Sequence, residues 1–213
     1  MIKIKNVHVC GLRESIRRAK YPMSVDPASL NDTLTEGIKR LAKSKAGEGH
    51  DQWLTGVIVQ FDVTGSLKWW TEAQRYHFLD FVSSQSTMHR ITKFDLGKQY
   101  CEYVDPRVIE IMQEKVAAYN KLVENKPGPD AAPELLKDYA ILLKEKYLEI
   151  LYTNPAGFEL TARMTTNYRC LLNIYIQRHD HRLPEWREFC ERLLELPYFA
   201  DLVNAYNGGE IKI

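Results

Sequence analysis

The sequence predicts a helix-rich α+β fold, a single domain over residues 1–213 with a small mixed or antiparallel sheet. Two observations lead to this prediction. Most apolar side chains repeat with the period of a helix, whereas a few short stretches alternate or run on as strands do. These strand-like stretches do not alternate with helices in the strand–helix–strand order that builds a doubly wound parallel sheet.

Composition and charge limit the class of protein that this chain can be. With 45% hydrophobic and 27% charged residues, the chain is suited to folding around a core. It has 29 Lys and Arg against 28 Asp and Glu, a net charge of +1, so the balance predicts no partner among nucleic acid polymers or membranes. An apolar window of about 18 residues and a signal-peptide pattern are both absent. The four cysteines match no common zinc spacing. We therefore expect a cytoplasmic protein with reduced thiols and no metal.

The first half of the chain mixes strands and helices. Alternating apolar residues from Ile2 to Val9 indicate a strand with its lysines outward. The apolar run 57–63 indicates a buried strand that ends at 64–65. Helical patterns cover 13–20, a stretch from a cap among 29–32 to about 43, and 67–81. A loop is expected at 47–50 and irregular structure at 83–93.

The second half is mainly helical. Asp105 and Pro106 predict a capped helix start, and this helix runs to about Val123. The proline-rich loop 126–133 joins it to a helix over 134–151. A strand follows at 158–164. Further helices are expected at 168–178, at 184–196 and from 197 for a turn or two, before a glycine-rich end at 208–209.

The densest group of ligand-binding side chains lies in residues 166–178. On a helix, Arg169 and Asn173 share a face, and Asn167 lies at the helix start, where amides and backbone N–H groups favour anions. Arg178 faces another side. Guanidinium groups bind phosphate and amides pair with ring edges, so the segment predicts a site for phosphate or a planar heterocycle. An exposed helix with ordinary surface arginines accounts for the same spacing.

A second polar cluster follows the predicted helix 67–81. Its cations and imidazoles are Arg75, His77, His89 and Arg90, all within 16 residues. Such a segment can bind phosphate or place a general base, and a plain polar loop is the alternative. His50 lies where a loop meets a buried strand, a common catalytic placement, although loop histidines are often only solvated. His179 and His181 lack an evident third metal ligand, so a solvated pair is favoured.

Residues 167–178 resemble the C-terminal motif of flavin-dependent thymidylate synthases, N-x-R-x-L-x-[NH]-F-x-x-x-R. The residues in register are Asn167, Arg169, Leu171, Asn173 and Arg178, and Ile174 replaces the Phe. Gly49 and His50, followed by Phe61, are similar to the family segment G-H-x-[ST]-…-F, with Gln52 in place of its Ser or Thr. The resemblance spans about residues 45 to 210.

The family signature Q-x-x-R-H-R-x-x-S is not intact, and two registers remain open. Counted without gaps, R-H-R falls on Arg75, Tyr76 and His77, and the later serine falls near Ser86. If the signature is aligned by residue identity instead, it falls on 85–90, and this alignment requires an insertion of 13 residues in the chain. The ungapped register is preferred because an inserted helix would displace the site. The family segment A-R-x-x-L-P, whose Arg helps to hold the nucleotide, has no counterpart here.

The resemblance implies a FAD-dependent, reductive methylation of a pyrimidine deoxynucleotide, dUMP or a variant. A tetrahydrofolate supplies the carbon, a reduced nicotinamide is the other co-substrate, and the enzyme is a homotetramer. The implied FAD-binding residues are Arg75, Tyr76, His77, Asn167, Arg169 and Asn173. The implied catalytic residues are His50, which flanks the flavin, and Arg178, near the reacting base. The candidate substrate-binding residues are Ser84, Gln85, Ser86, His89 and Arg90.

Two other interpretations of the sequence stay open. One is a non-catalytic or re-purposed relative of that fold which binds a nucleotide, a flavin or a protein partner, because a shared fold does not imply a shared function. The other is a helical interaction protein whose motif matches by chance. The first predicts ligand-induced thermal stabilisation without turnover, and the second predicts that the protein retains no flavin and forms no defined tetramer.

Overall fold

The computed structural model describes residues 2–44 and 48–206, and the contacts within it group the chain into two compact units. Unit 1 consists of Met1–Gly65, Trp69–Ser83 and Thr161–Ile213. Unit 2 consists of Ser66–Lys68 and Ser84–Leu160. The single domain expected from the length stays a prediction. The expected loop residue Gly47 and the glycine-rich end at 208–209 lie outside the described residues.

Four described strands form a small antiparallel sheet in the order β1-β2-β4-β3. The strands are β1 (Lys3–Cys10), β2 (Ile58–Ser66), β3 (Asp80–Ser84) and β4 (Glu159–Asn167). β1 pairs with β2 from Lys3 opposite Thr64 to Cys10 opposite Ile58, with a bulge between Lys5 and His8. Together with the helices, this sheet confirms the predicted helix-rich α+β fold.

Alternation along β2 and β4 gives the middle of the sheet one buried and one polar face. Val59, Phe61 and Val63 of β2 are buried, whereas Asp62 between them is half-buried on the other face. There, Asn6 Nδ2 donates to Asp62 Oδ2 at 2.5 Å, and Arg163 Nη1 donates to Asp62 Oδ1 at 3.2 Å. These two hydrogen bonds, that from Asn6 first, lower the pKa of the Asp62 carboxyl below its usual value. The polar face is therefore tied across three strands.

Unit 1 also contains six described helices. They are α1 (Leu12–Arg18), α2 (Glu36–Ala42), α3 (Leu67–Ala73, whose first two residues fall in unit 2), α7 (Tyr168–Arg178), α8 (Pro184–Leu193) and α9 (Phe199–Tyr206). Short 3-10 helices cover Tyr21–Met23, Pro27–Ser29 and His50–Gly56. Across the parts of the chain that the structure covers, none of the helices is long and apolar enough to cross a membrane.

An aromatic cluster forms the centre of the unit 1 core. Trp69 lies 5.0 Å from Trp186 and 5.4 Å from Phe189 between ring centroids, and Phe61 lies 6.0 Å from Phe189. These four side chains are buried. Large aromatic side chains remove the most apolar area from water, so α3, α8 and β2 are held together mainly by this cluster.

Unit 2 consists mainly of two long helices, α5 (Pro106–Glu124) and α6 (Pro133–Thr153), with the short α4 (Thr87–Arg90) and 3-10 helices at Ile91–Lys93 and Leu96–Lys98. The Asp105 side chain caps α5 by accepting from the Arg107 N–H at 2.9 Å, which confirms the predicted capped start. Tyr139 Oη donates to the Leu122 carbonyl at 2.8 Å, and the Tyr119 and Tyr147 rings lie 5.3 Å apart. α5 and α6 therefore pack against each other.

Two of the predicted elements are wrong. The helix expected over 67–81 ends at Ala73. Five residues on, Phe78 has φ 67°, a left-handed conformation that a helix does not accommodate, and Phe81 belongs to β3. The segment 83–93, expected to be irregular, contains the end of β3, α4 and a 3-10 helix. The aromatic spacing of 69–81 imitates a helical period, since several of its rings fill the core for tertiary reasons.

The second helix also begins later than its candidate caps predicted. α2 starts at Glu36, where the Thr35 side chain accepts from the Ile38 N–H at 3.4 Å. Upstream, Asp26 caps the 3-10 helix Pro27–Ser29, accepting from the Ala28 N–H at 2.9 Å. Ser, Asn and Asp satisfy backbone donors in turns as well as at helix starts, so such residues alone do not fix a boundary.

Candidate functional site

A cavity of about 410 Å³ lies alongside α7, entirely within unit 1. We refer to it as the amide cavity. Its lining residues are Gln52, Thr55, Tyr76, His77, Phe78, Asn167, Arg169, Cys170, Asn173 and Gln177. Five of the six predicted FAD-binding residues are among them, all except Arg75. The volume is typical of small-molecule sites, so the structure brings these side chains to a space that a ligand can occupy.

The lining is rich in carboxamides. Gln52, Asn167, Asn173 and Gln177 each carry a carbonyl acceptor and an NH₂ donor. Such groups pair with the edge of a planar heterocycle that alternates donors and acceptors, whereas a phosphate favours cations. The cavity is therefore chemically suited to a ring system.

Asn167 occupies the start of α7, as the sequence predicted. Its backbone is extended, at φ −137° and ψ 165°, and its side chain accepts from the Cys170 N–H at 3.0 Å. This is an N-cap, which uses the side-chain oxygen and leaves the amide nitrogen as a donor. The cap therefore fixes the orientation of an amide that also lines the cavity.

Arg169 is held by a partner that the sequence did not indicate. Its Nε donates to Asp51 Oδ2 at 2.7 Å, and the two side chains are 33% and 19% exposed. Asp51 lies on the 3-10 helix His50–Gly56, which begins after Gly49 at φ 76°. The ion pair balances the charge and aligns the guanidinium, whose two terminal NH₂ groups are further donors.

The segment after α3 is fastened to α7. Tyr76 Oη accepts from Arg178 Nε at 2.7 Å and donates to Gln177 Oε1 at 2.9 Å. One residue on, the His77 carbonyl accepts from Cys170 Sγ at 3.3 Å. Burial raises the pKa of the Cys170 thiol, so this group remains a neutral donor. These contacts fix one wall of the amide cavity.

Arg178 lies at the other end of α7, in a group of side chains that we call the arginine cluster: Glu72, Tyr76, Arg178, His181 and Trp186. Its Nη1 lies 3.3 Å from Glu72 Oε2 and 2.7 Å from His181 Nε2, and its guanidinium lies 5.0 Å from the centre of the Trp186 ring. Trp186 Nε1 also donates to Glu72 Oε2, at 3.1 Å. The guanidinium is therefore engaged by the protein itself, and the predicted catalytic role of Arg178 stays a prediction.

His50 and Arg75 are exposed and are not among the residues that line the amide cavity. His50 is the first residue of the 3-10 helix that contributes Gln52 and Thr55 to the lining. Arg75 follows α3 and precedes the cavity wall at Tyr76. Their expected contacts with a flavin stay predictions.

The candidate substrate-binding residues belong to unit 2 from Ser84 onwards. Ser84, Gln85, His89 and Arg90 are exposed, and Ser86 is half-buried just before α4. Tyr147 of α6 donates to the Met88 carbonyl at 2.9 Å, which holds α4. The structure thus places these five polar side chains along one short stretch, and their role in substrate binding stays a prediction.

Metal binding finds no support within residues 2–44 and 48–206, where no group of three or more His, Cys, Asp or Glu side chains is arranged to hold an ion. The histidines of the 179–181 segment contact protein groups. His179 stacks on Tyr175 at 5.3 Å, and His181 Nδ1 accepts from the Leu183 N–H at 3.1 Å.

Half of the residues that line the amide cavity were not among the predicted site residues. Cys170 and Gln177 lie inside the segment 167–178, so the helix predicted there could have indicated that they share a face with the predicted site residues. Gln52 and Thr55 share one side of a 3-10 turn, three residues apart, a spacing visible only once that turn is known. Phe78 has no local signal, because its conformation results from the contacts of its neighbours.

Comparison with known proteins supports the fold. No protein-family model matches the chain, and no curated protein matches it. Two crystal structures of thymidylate synthase X (ThyX) from Helicobacter pylori, each with FAD and dUMP, are similar. The first has a TM-score of 0.66 at 14% identity over 97% of this chain and 99% of that chain. The second has a TM-score of 0.63 at 15% identity over 99% of each. This chain therefore shares the ThyX fold.

Proposed function

We propose that the chain is a flavin-dependent, thymidylate synthase-like enzyme. It methylates a pyrimidine deoxynucleotide, dUMP or a variant, with a tetrahydrofolate as carbon donor and a reduced nicotinamide as reductant. One observation carries the proposal: a fold shared with structures that contain FAD and dUMP gathers five of the six predicted FAD-binding residues around one cavity. We also propose the homotetramer that the family resemblance implies.

The residues present fit a flavin. An isoalloxazine ring is planar and carries carbonyl and N–H groups along its pyrimidine edge, which the four carboxamides of the cavity can pair with. Asn167, Arg169 and Asn173 would hold this edge, and Tyr76 and His77 would form the adjoining wall. When bound and reduced by the nicotinamide, the flavin would supply the hydride for the reductive methylation.

We propose that the residues which bind the nucleotide substrate differ from the family pattern. Tyr76 and His77 line the same cavity as α7, which favours the ungapped register. In that register the glutamine of the signature falls on Glu72, whose carboxylate is bound to Arg178 and Trp186. This carboxylate replaces the amide of the signature and is occupied by protein groups, so it does not supply the signature's amide donor. We therefore propose Ser84, Gln85, Ser86, His89 and Arg90 as the nucleotide-binding residues, and an altered pyrimidine nucleotide as substrate.

The same observation supports a second candidate function. If Arg178 remains bound to Glu72, the fold can hold a flavin or nucleotide without turnover, as a non-catalytic relative. Binding would then stabilise the protein thermally while no methylated nucleotide forms.

The test has two stages. First, the purified protein is incubated with FAD and passed through a gel-filtration column. Its absorbance at about 450 nm is then recorded. Retained flavin is the expected result, and a colourless protein contradicts the proposal. Second, the flavin-loaded protein is incubated with dUMP, methylenetetrahydrofolate and a reduced nicotinamide, and dTMP is measured. Retained flavin without turnover of dUMP or related pyrimidine nucleotides favours the non-catalytic relative.

A further inference from the structure

Phe78 presents an apolar ring in a backbone conformation that a phenylalanine rarely adopts. Its φ is 67°, in the left-handed region that disfavours any side chain with a Cβ, and 66% of its surface is exposed. Neither feature favours the folded chain by itself. Such outliers persist only where the surroundings impose them, and they concentrate at ligand-binding sites.

The neighbours of Phe78 impose its conformation. Tyr76 is held through its hydroxyl by Arg178 and Gln177, and the His77 carbonyl accepts from Cys170 Sγ. On the other side, Leu79 is buried, with 3% of its surface exposed. Both flanks of Phe78 are therefore fixed to the core, and between them Phe78 takes its positive φ and leaves most of its ring exposed.

Phe78 lines the amide cavity together with its four carboxamide residues. Amide groups recognise the edge of a planar heterocycle, and an aromatic side chain recognises its face. We propose that Phe78 is the stacking platform for the planar ring bound in the amide cavity, which under the proposed function is the isoalloxazine of FAD. This inference rests on the proposed function and adds a residue that determines which ring systems the cavity accepts.

The arginine cluster holds the turn that carries Phe78. Glu72 anchors Arg178, Arg178 aligns the Tyr76 hydroxyl, and Tyr76 fixes the turn that carries Phe78. Arg178 and Glu72 are then positioning residues for the platform.

The test compares Phe78→Ala, Phe78→Leu and Phe78→Tyr with the unchanged protein in titrations with riboflavin and with FAD. Riboflavin isolates the ring because it carries no phosphate. Removing an aromatic platform costs about tenfold in affinity for a stacked heterocycle, so Phe78→Ala and Phe78→Leu should raise the Kd for both flavins by about that factor. Phe78→Tyr keeps a ring and should restore binding to within about threefold.

Tyr198 provides a matched control. It is also an aromatic residue with a positive φ, 59°, and is 48% exposed, but it lines a different cavity, together with residues of β1 and α1. Tyr198→Ala should leave both flavin Kd values unchanged. Phe78→Gly should bind flavin as weakly as Phe78→Ala yet unfold at a higher temperature, because glycine adopts φ 67° without steric cost.

The outcomes separate the two proposals. If the unchanged protein binds neither riboflavin nor FAD, the proposed function is wrong and the platform fails with it. If it binds flavin and Phe78→Leu binds equally well, only the platform is wrong. Equal losses in Phe78→Leu and Tyr198→Ala would show a general loss of structure and would also overturn the platform.

Discussion

Arg169 of α7 and Asp51 of the 3-10 helix His50–Gly56 form an ion pair with Nε 2.7 Å from Oδ2. The two residues are 118 positions apart, and both helices contribute side chains to the amide cavity. The pair therefore fixes two walls of the cavity relative to each other, and it leaves the terminal nitrogens of the guanidinium as donors.

Arg169→Ala should weaken FAD binding. A hydrogen bond to a charged group contributes about 1.5–3 kcal/mol, so we expect the Kd to rise by at least about tenfold, measured by absorbance titration. Asp51→Asn is the control, because it keeps an acceptor for Arg169 while removing the carboxylate charge. It should bind FAD at least as tightly as the unchanged protein. An unchanged Kd in Arg169→Ala would exclude this arginine from flavin binding.

Glu72→Ala should lower the free energy of unfolding by about 1.5–3 kcal/mol in urea titrations, because it removes the acceptor of Trp186 Nε1 and the charge partner of Arg178. Both partners of this ion pair are only 19% exposed, so solvent screens the pair little. Glu72→Gln keeps an acceptor and should lose less.

The control for Glu72 is the ion pair between Arg192 and Glu195, whose side chains are 57% and 65% exposed. Glu195→Gln should leave the free energy of unfolding almost unchanged, as is usual for surface pairs. Similar losses in the Glu72 and Glu195 variants would contradict a structural role for the arginine cluster.

Asp62 should make stability depend on pH at the acidic end. Its folded-state pKa lies below the ordinary 3.8 because of the Asn6 and Arg163 hydrogen bonds. The stabilisation is therefore complete above 3.8 and is lost as the pH falls through the lower, folded-state pKa. Asp62→Asn should be less stable than the unchanged protein at neutral pH, and this difference should shrink on acidification. A difference that is constant with pH would contradict this assignment.

Tyr168→Phe should lower the free energy of unfolding by about 1 kcal/mol, since it removes a single part-buried hydrogen bond. The Tyr168 hydroxyl donates to the Pro197 carbonyl at 2.8 Å, and the side chain is fully buried. Burial also raises the pKa of this hydroxyl, so it stays protonated as a donor. Tyr152, which is 88% exposed, supplies the control: Tyr152→Phe should be neutral in thermal and urea unfolding.

The cysteines should react with alkylating or disulfide reagents in a fixed order. Burial raises the pKa of Cys190 to about 12 and raises that of Cys170, whereas Cys10 is exposed. Because the thiolate is the reactive form, Cys10 should be modified first near neutral pH, and Cys170 and Cys190 only on unfolding. Cys10→Ser should remove the fastest phase. Rapid modification of Cys190 in the folded protein would contradict this order.

Local signals in the sequence were sufficient for α7 and its cap. The N-cap residue Asn167 and the helix to Arg178 lie within one short segment, so pattern and capping chemistry coincide there, and the structure gives the predicted bounds. The same segment supplied Arg169 and Asn173 for the cavity. Such predictions succeed because each depends on neighbours along the chain.

Contacts between distant segments were not predictable in the same way. Glu72 and Arg178 are 106 positions apart, and neither residue type signals that the other will bind it. The strand β3 was missed for a related reason, since it begins just after the left-handed residue Phe78, whose neighbours Tyr76 and Leu79 are held by tertiary contacts. Tertiary contacts determine both the Glu72–Arg178 pair and the strand β3. For β3, the local sequence pattern favours a helix instead.

The bulge in β1 affects how the protein behaves at high concentration. β1 is an edge strand of the described sheet, and exposed edges recruit strands from other molecules. Here Lys3 and Lys5 are exposed, and the bulge at Asn6, with φ 51°, breaks the regular row of backbone donors and acceptors. An incoming strand would have to desolvate two ammonium groups and would find no continuous ladder, so this edge is protected against edge-to-edge aggregation.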